Sequence, residues 1–568
     1  MRRRTSPPCF PAVGALGTAA ALVALSACGQ RKLDAGWDRP AAGGAAGSAG
    51  AGASAGAGNR CVNGPGYYVD AASGDDSNDG KSPSTAWQSL TKVNATLFQP
   101  GDTLCFRAGA SWTGKLAPRG SGTSEAPIAI DQFGSGDKPR IAAGANDDSA
   151  VELVNQSYWE LNNLDITNRK AFVGDYRGIA VIGQDAGTLR HIQIRRCRVH
   201  DVTGEVNWIS GSAQQNAEGI TFEAGWDVSK RTGGIVFEVR TKTTPPVKTT
   251  FDDILIEDNV ITDCSFAGIA FKQLDADVHW AIRNTAAESS YSPHTRVVIR
   301  NNYLNQRSSS FACNGIYLSS VRDALLEGNV VSEAGTSAIE LYYTDAVTVQ
   351  RNETYGTTMK AGGSQFNGID AGKGTTNTII QYNYLHDNGD GLLLSQFLFG
   401  DAIVRYNVFQ DNTRYQVYLH SDSAASNVIY NNTFYVRSEQ ARLAYGFGQF
   451  LPAEYAFSNN IFVGMGAEPV LTTGGGITYR SNLYFGANVN VPQEDLSAIV
   501  ADPRFVSPGM GANGNTSGPA FTSLLGYRLS ADSPAIDAGV PVADNGGQDF
   551  AGNSLYIGAP DLGAYEAR

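Results

Sequence analysis

One short phrase keeps returning in this 568-residue chain, and nothing else in it restricts the fold as strongly. A few apolar residues are followed by a polar pair ending in Asn and then by two more apolar residues. It reads ILIEDNVI at 254–261, VVIRNNYL at 297–304, ALLEGNVV at 324–331, VTVQRNET at 347–354, TIIQYNYL at 378–385, AIVRYNVF at 402–409, NVIYNNTF at 427–434, YAFSNNIF at 455–462 and TYRSNLYF at 478–485. The Asn-to-Asn steps from 383 to 407, 407 to 432 and 460 to 482 are 24, 25 and 22 residues. A period in the twenties, with β-branched and aromatic residues alternating and no helical 3.6 pattern, predicts one coil of an all-β solenoid per repeat. Longer steps, such as the 43 residues between Asn259 and Asn302, are coils carrying loop insertions, which gather on one side as a binding face. Asn suits the corner because its amide bonds neighbouring backbone, tolerates left-handed backbone angles and stacks from coil to coil, so the column is read as structural.

A second strand follows each corner: GIAFKQ at 268–273, GIYLSS at 315–320, AIELYY at 338–343, GIDAGK at 368–373, GLLLSQ at 391–396 and QVYLHS at 416–421. Their second and fourth residues are small or apolar and belong to the core. Side chains alternate along a strand, so the third and fifth point outward. This aligns Ala270, Tyr317, Glu340, Asp370, Leu393 and Tyr418 in one outer column and Lys272, Ser319, Tyr342, Gly372, Ser395 and His420 in the next. Glu340 and Asp370 become neighbours on adjacent coils.

The chain opens with Arg2-Arg3-Arg4, an apolar run over 12–25 and Leu25-Ser26-Ala27-Cys28, the pattern of a lipoprotein signal in which Cys28 is lipidated. Gly29 rather than Asp follows that cysteine, which favours the outer membrane or cell surface, with the periplasmic face open as well. Residues 41–58 are almost only Ala, Gly and Ser, a flexible tether. Loss of the signal moves the formal charge from −12 to −15, so nucleic acid is excluded as a partner, and an acidic glycan would need a local basic patch or a bridging cation. A monomer is expected, touching membrane only through its lipid. Of the five cysteines left after lipidation, Cys61 and Cys105 are candidates for a disulfide in an oxidising envelope, although sequence does not fix the pairing. Cys197 stands where the ladder Asn would be and is read as a buried thiol.

Residues 67–90 (YYVDAASGDDSNDGKSPSTAWQSL) with 100–109 (PGDTLCFRAG), and the tail segments YRLSADSPAIDAG at 527–539 and GAPDLGAYE at 558–566, resemble the ends of secreted right-handed parallel β-helix proteins of the pectate-lyase-like superfamily. The resemblance implies a right-handed parallel β-helix over about 146–490, preceded by a capping region and first coils at 59–145 and followed by a segment at 491–568 that covers the last coil. Residues 366–394 also resemble the pattern of family 9 polysaccharide lyases, whose aspartates hold calcium. Carried over, Asn367 stands at the first aspartate, Gly389 and Asp390 at a pair, and Leu393 at the last, so Asp390 alone keeps its carboxylate. Asp75, Ser77, Asp79 and Gly80 echo half a calcium loop but read better as a turn.

A lyase acting on a uronate must neutralise the sugar carboxylate and place a base at the neighbouring proton. Glu340, Asp370 and Asp390 are the candidate calcium ligands, and Lys272, Lys373, Tyr342 or His420 the candidate base. A glycoside hydrolase needs two carboxyls flanking the bond, about 5–5.5 Å apart for retention or about 6.5–9.5 Å for inversion, a role that Glu340 and Asp370 on adjacent coils also fit. A non-catalytic glycan-binding protein would use Tyr317, Tyr342 and Tyr418 to stack on sugar rings. The first expectation is a surface-tethered polysaccharide lyase for an acidic glycan, with the hydrolase and the binding protein as alternatives.

Overall fold

In each repeat the apolar run before the ladder Asn forms one strand, the two residues after it open a short second strand, and the outward-patterned segment forms a third. The computed structural model describes residues 59–567 apart from 62–65, 172–173, 205–213, 216–220, 223–231, 273–278, 284, 310–311, 359, 361–365, 422–423, 439–441, 447–452, 466–470 and 557. Cys28 and the tether therefore lie outside the described residues. The strands stack into a parallel β-helix of three sheets. The first has fourteen strands, from Tyr67–Val69 to Ile477–Arg480, and the corner sheet fourteen, from Ser111–Thr113 to Ile499–Val500. The face sheet has ten, from Ser149–Val154 to Arg442–Gly446. Stacking thus begins well before residue 145, with Tyr67–Val69 already paired to Thr103–Arg107. Inside the three walls runs one continuous apolar core, from Val69 to Tyr484. No helix among the described residues is long and apolar enough to cross a membrane.

The Asn column forms as expected. Each side-chain amide donates to the Oδ1 of the Asn one coil on, at 2.9 Å from Asn259 to Asn302 and 3.0 Å at the end, from Asn460 to Asn482. The same Oδ1 also accepts the backbone N–H of the preceding Asn, as Asn302 does from Asn259. Cys197 takes the expected place, buried, its backbone N–H donating to Asn259 Oδ1 at 2.9 Å. The left-handed residue, however, is the one before the Asn: Asp258, Asn301, Arg351, Tyr382 and Tyr406 have φ between 50 and 58°. Such angles are costly for non-Gly residues, and the two bonds each ladder oxygen accepts offset that cost. The column ends on Asp495, whose carboxylate accepts from Ser481 N, Asn482 N, Asn482 Nδ2 and Tyr484 Oη.

Cys61 and Cys105 are joined, Cα to Cα 5.7 Å, beside the first coil. The Asp-rich stretch at 75–80 is a turn: Asp75 accepts from Ser77, and Asp79 from Lys81 and Thr85. The C-terminal segment departs from expectation. Only Ile499–Val500 extends the corner sheet over the last coil. The rest runs back along the outside of earlier coils: Asn459 bonds Val540, Asn431 bonds Asp561, Tyr382 bonds Gln548, and Glu353 accepts from Gly514 N and Ala520 N. It straps the flank of the solenoid because the aromatic side chains outside those coils, Tyr382, Tyr406 and Tyr430, form an apolar cluster with Phe550 and Tyr565 from the tail.

Candidate active site

The outer surface of the face sheet carries the chemistry. Its register confirms the aligned column: Ala270 opposes Tyr317, Tyr317 opposes Glu340, Glu340 opposes Asp370, Asp370 opposes Leu393, and Leu393 opposes Tyr418. One further coil extends it to Tyr445. Glu340 lies between Ile339 and Leu341, and Asp370 between Ile369 and Ala371, all four in the core. Alternation therefore sends both carboxylates out of the same face, on strands about 4.8 Å apart.

Neither carboxylate is solvent-facing as expected, since Glu340 is 3 % exposed and Asp370 4 %. Tyr317 on the coil before and Leu393 on the coil after are both fully buried, so the pair has an apolar wall at either end. Asn314 Nδ2 donates to Glu340 Oε2 at 2.6 Å, and Ser395 Oγ to Asp370 Oδ1 at 2.8 Å. Upstream, Val236, Phe266, Ala270, Cys313 and Tyr317 form an apolar cluster separate from the main core. Tyr317 is thus a buried wall and not an exposed stacking surface.

Asp390 does not join the pair. It opposes Asn367 and Tyr415, three positions from the carboxylate column, and is fully buried. Arg414 grips both its oxygens, through Nε to Oδ1 at 2.7 Å and Nη2 to Oδ2. Burial pushes the Asp390 carboxyl up, and Arg414 offsets this only in part. At Gly389, the other half of the expected aspartate pair, a Cβ would come 1.3 Å from the Phe366 ring, so no side chain fits there. Arg414 in turn lies over Phe366 at 4.5 Å from the ring centroid. Asp390 is therefore not grouped with Glu340 and Asp370, and no group of three or more His, Cys, Asp or Glu side chains among the described residues is placed to hold a metal.

The candidate bases also separate. Lys272 opposes Glu238, whose carboxyl burial would raise but Arg177, Arg240 and Lys272 hold low. It lies two coils before Glu340, roughly 10 Å along the axis, and does not compensate the pair. Lys373 falls beyond the end of the strand Asn367–Ala371 and stands over the Tyr343 ring, 5.7 Å from its centroid. Tyr342 remains beside the pair, two residues beyond Glu340, with its ring edge on Tyr343 at 4.8 Å. His420 stacks on Tyr418 at 5.1 Å.

Sequence alignment missed Asn314, Ser395 as a partner of Asp370, and a platform beyond the pair. There Tyr415 stacks on Tyr445 at 4.5 Å and meets Tyr418 at 4.9 Å. Arg414 covers Tyr415 and Arg442 covers Tyr445, at 4.9 and 4.8 Å. Carrying the outer column one repeat further would have found Tyr445. Missed too was a clamp behind the site. Arg283, fully buried, donates through Nη2 to Thr344 O, Gly374 O at 2.8 Å and Thr376 Oγ1 at 2.7 Å, thereby holding the turns that follow both carboxylate strands.

Comparison with known proteins agrees with this architecture. A family model described as "Right handed beta helix region" matches residues 314–488, and one described as "Periplasmic copper-binding protein (NosD)" matches residues 162–368. A lacto-N-biosidase from Bifidobacterium longum subsp. longum is 26 % identical over 88 % of this chain, which spans only 36 % of that protein. An alpha-1,3-galactosidase A from Akkermansia muciniphila is 38 % identical over 11 % of this chain and 11 % of its own length. The crystal structure of a GH136 lacto-N-biosidase from Eubacterium ramulus superposes with a TM-score of 0.56 at 20 % identity, covering 70 % of this chain and 67 % of that one. With three parallel sheets, an Asn-laddered corner and the match over 314–488, the chain has the right-handed parallel β-helix fold.

Proposed function

We infer that this protein is a carbohydrate-active enzyme that hydrolyses a glycosidic bond at Glu340 and Asp370. The observation that carries this is their register on adjacent coils of one outer face. Strands about 4.8 Å apart match the carboxyl separation of about 5–5.5 Å that retaining hydrolysis requires. One carboxyl would protonate the leaving oxygen while the other attacks the anomeric carbon, and water would then release the sugar with the first group acting as base. Asn314 and Ser395 fix the two side chains, and the apolar walls keep water from competing with them. The relatives named above, a lacto-N-biosidase and an alpha-1,3-galactosidase, are glycosidases by name, which supports hydrolysis as the reaction class.

The lyase expected first keeps Tyr342 as its base. Its cation would rest on Glu340 and Asp370 alone, because Asp390 is committed to Arg414. Product analysis on purified protein separates the two: hydrolysis releases a saturated reducing sugar, elimination an ultraviolet-absorbing unsaturated uronate. Glu340→Gln and Asp370→Asn should each abolish release, and azide should restore turnover to the variant lacking the nucleophile. Retained activity in both variants overturns the assignment. Calcium is tested by melting wild type and Asp370→Asn with the metal and with chelator, since binding stabilises by mass action. Four superimposable curves remove it. We place the enzyme on a lipid anchor at Cys28, and Cys28→Ser should release it from the membrane fraction.

A further inference from the structure

We propose that the platform of Tyr415, Tyr418 and Tyr445 with Arg442 is a substrate subsite for a pyranose residue carrying an anionic group, a carboxylate or a sulfate. Tyr418 and Tyr445 continue the same outer column as Glu340 and Asp370, two and three coils beyond Asp370. At about 4.8 Å per coil this puts them roughly 10 and 14 Å from Asp370 along the axis, and one coil more from Glu340, within reach of one oligosaccharide laid down the face. All three tyrosines are half-buried, so each is held by its neighbours yet keeps part of its ring at the surface. Burial and Tyr415 push the Tyr418 phenol up to about 12, and it therefore stays a neutral hydrogen-bond donor. Rings of this kind pair an apolar face for sugar C–H groups with a polar rim for hydroxyls.

The anionic preference comes from the two arginines, which are not equivalent. Arg414 is neutralised by its bidentate bond with the Asp390 carboxylate. Arg442 is half-buried against Tyr445, and no carboxylate among the described residues pairs with it. A guanidinium held in place by an aromatic face presents a planar fork suited to a carboxylate or sulfate. In a chain of formal charge −12 this is a local exception to the prevailing field, as an acidic glycan would require.

The subsite rests on the reading of this face as a carbohydrate site, so its test is one of binding and not of turnover. Glu340→Gln protein, its fold checked by circular dichroism, is titrated calorimetrically with four probes. These are oligogalacturonate and its methyl ester, and a galactose–N-acetylglucosamine tetrasaccharide with and without 6-sulfate. At least one charged probe should bind about tenfold more tightly than its neutral partner. Arg442→Gln should remove that ratio and most of its salt dependence, whereas Arg442→Lys should keep part of it. Tyr445→Ala should weaken charged and neutral probes alike. The carboxylate and sulfate pairs show which anion is preferred. Equal affinity within both pairs, no binding of either charged probe, or an unchanged ratio in Arg442→Gln overturns the proposal. If charged probes bind through Arg442 and wild type cleaves nothing, the hydrolase reading fails and the subsite stands.

Discussion

Two columns of side chains run the length of this solenoid, and they are opposites. At the corner the same residue, Asn, recurs on nine coils, each amide bonded to the next. On the outer face of the third sheet the column changes at every coil, through Ala270, Tyr317, Glu340, Asp370, Leu393, Tyr418 and Tyr445. The corner satisfies itself and has no further bonds to offer. The face cannot be satisfied by repetition, because stacked like charges repel and stacked unlike residues leave polar atoms open. The coil spacing comes from the hydrogen-bonded strands of the sheets, the first column reinforces it, and the second uses it to set a carboxyl pair and an aromatic platform at fixed steps.

The sharpest test of that division is to change each column separately. Glu340→Gln or Asp370→Asn should lower kcat/KM by about a thousandfold or more, with an unchanged melting temperature by calorimetry. A collapse in stability instead would show that the pair is part of the scaffold. Asn383→Leu should do the reverse. It strips bonds from Asn352, Val349 and Asn407 and should cost about 1–3 kcal/mol in denaturant unfolding, while the folded fraction keeps its activity. Arg283→Met probes the support behind the face column. It frees the turns after both carboxylate strands, and kcat should fall about tenfold with KM little changed, because misplacement penalises the reacting geometry more than binding. Equal changes in both constants would point to a binding role.

The smallest effect concerns the first sheet. His191, between Asp253 at 2.8 Å and Glu160 at 3.6 Å, has its pKa raised from 6.5 to about 9 by those two carboxylates. A raised folded pKa means that its stabilisation is complete below about pH 6.5 and is lost as the pH climbs through about 9. The melting temperature should fall across that window by on the order of 1 °C, and His191→Gln should flatten the slope without touching activity.

How much of this could be read in the sequence follows the same division. The ladder, the coil register and the Glu340–Asp370 adjacency were legible because they repeat, and a repeat carries its own alignment. What failed depended on one-off contacts. That Asp390 is gripped by Arg414, 24 residues on, left no trace in the lyase-like pattern. Nor did the Phe366 ring that fills the space at Gly389. Lys272 stood in the right column but on the wrong coil, where it serves Glu238. The resemblance of the tail to the ends of other β-helix proteins implies a cover over the last coil and carries no sign of a return along the flank. Its course along the flank is decided by tyrosines such as Tyr382, which the repeat pattern counted simply as the residue before an Asn.

Asp495 has a consequence for growth. The ladder has a direction: every amide donates toward the C-terminal neighbour, so a coil end always presents a donor seeking an acceptor. A solenoid left in that state is a template, open to another copy of itself. Asp495 closes the series with a carboxylate that accepts from the last coil and donates nothing onward. It acts as a terminator. Lengthening this protein by inserting a coil between Asn460 and Asn482 should therefore be tolerated, while any fusion meant to continue the helix must first remove Asp495. Its removal, in turn, is the change most apt to make the molecule polymerise end to end.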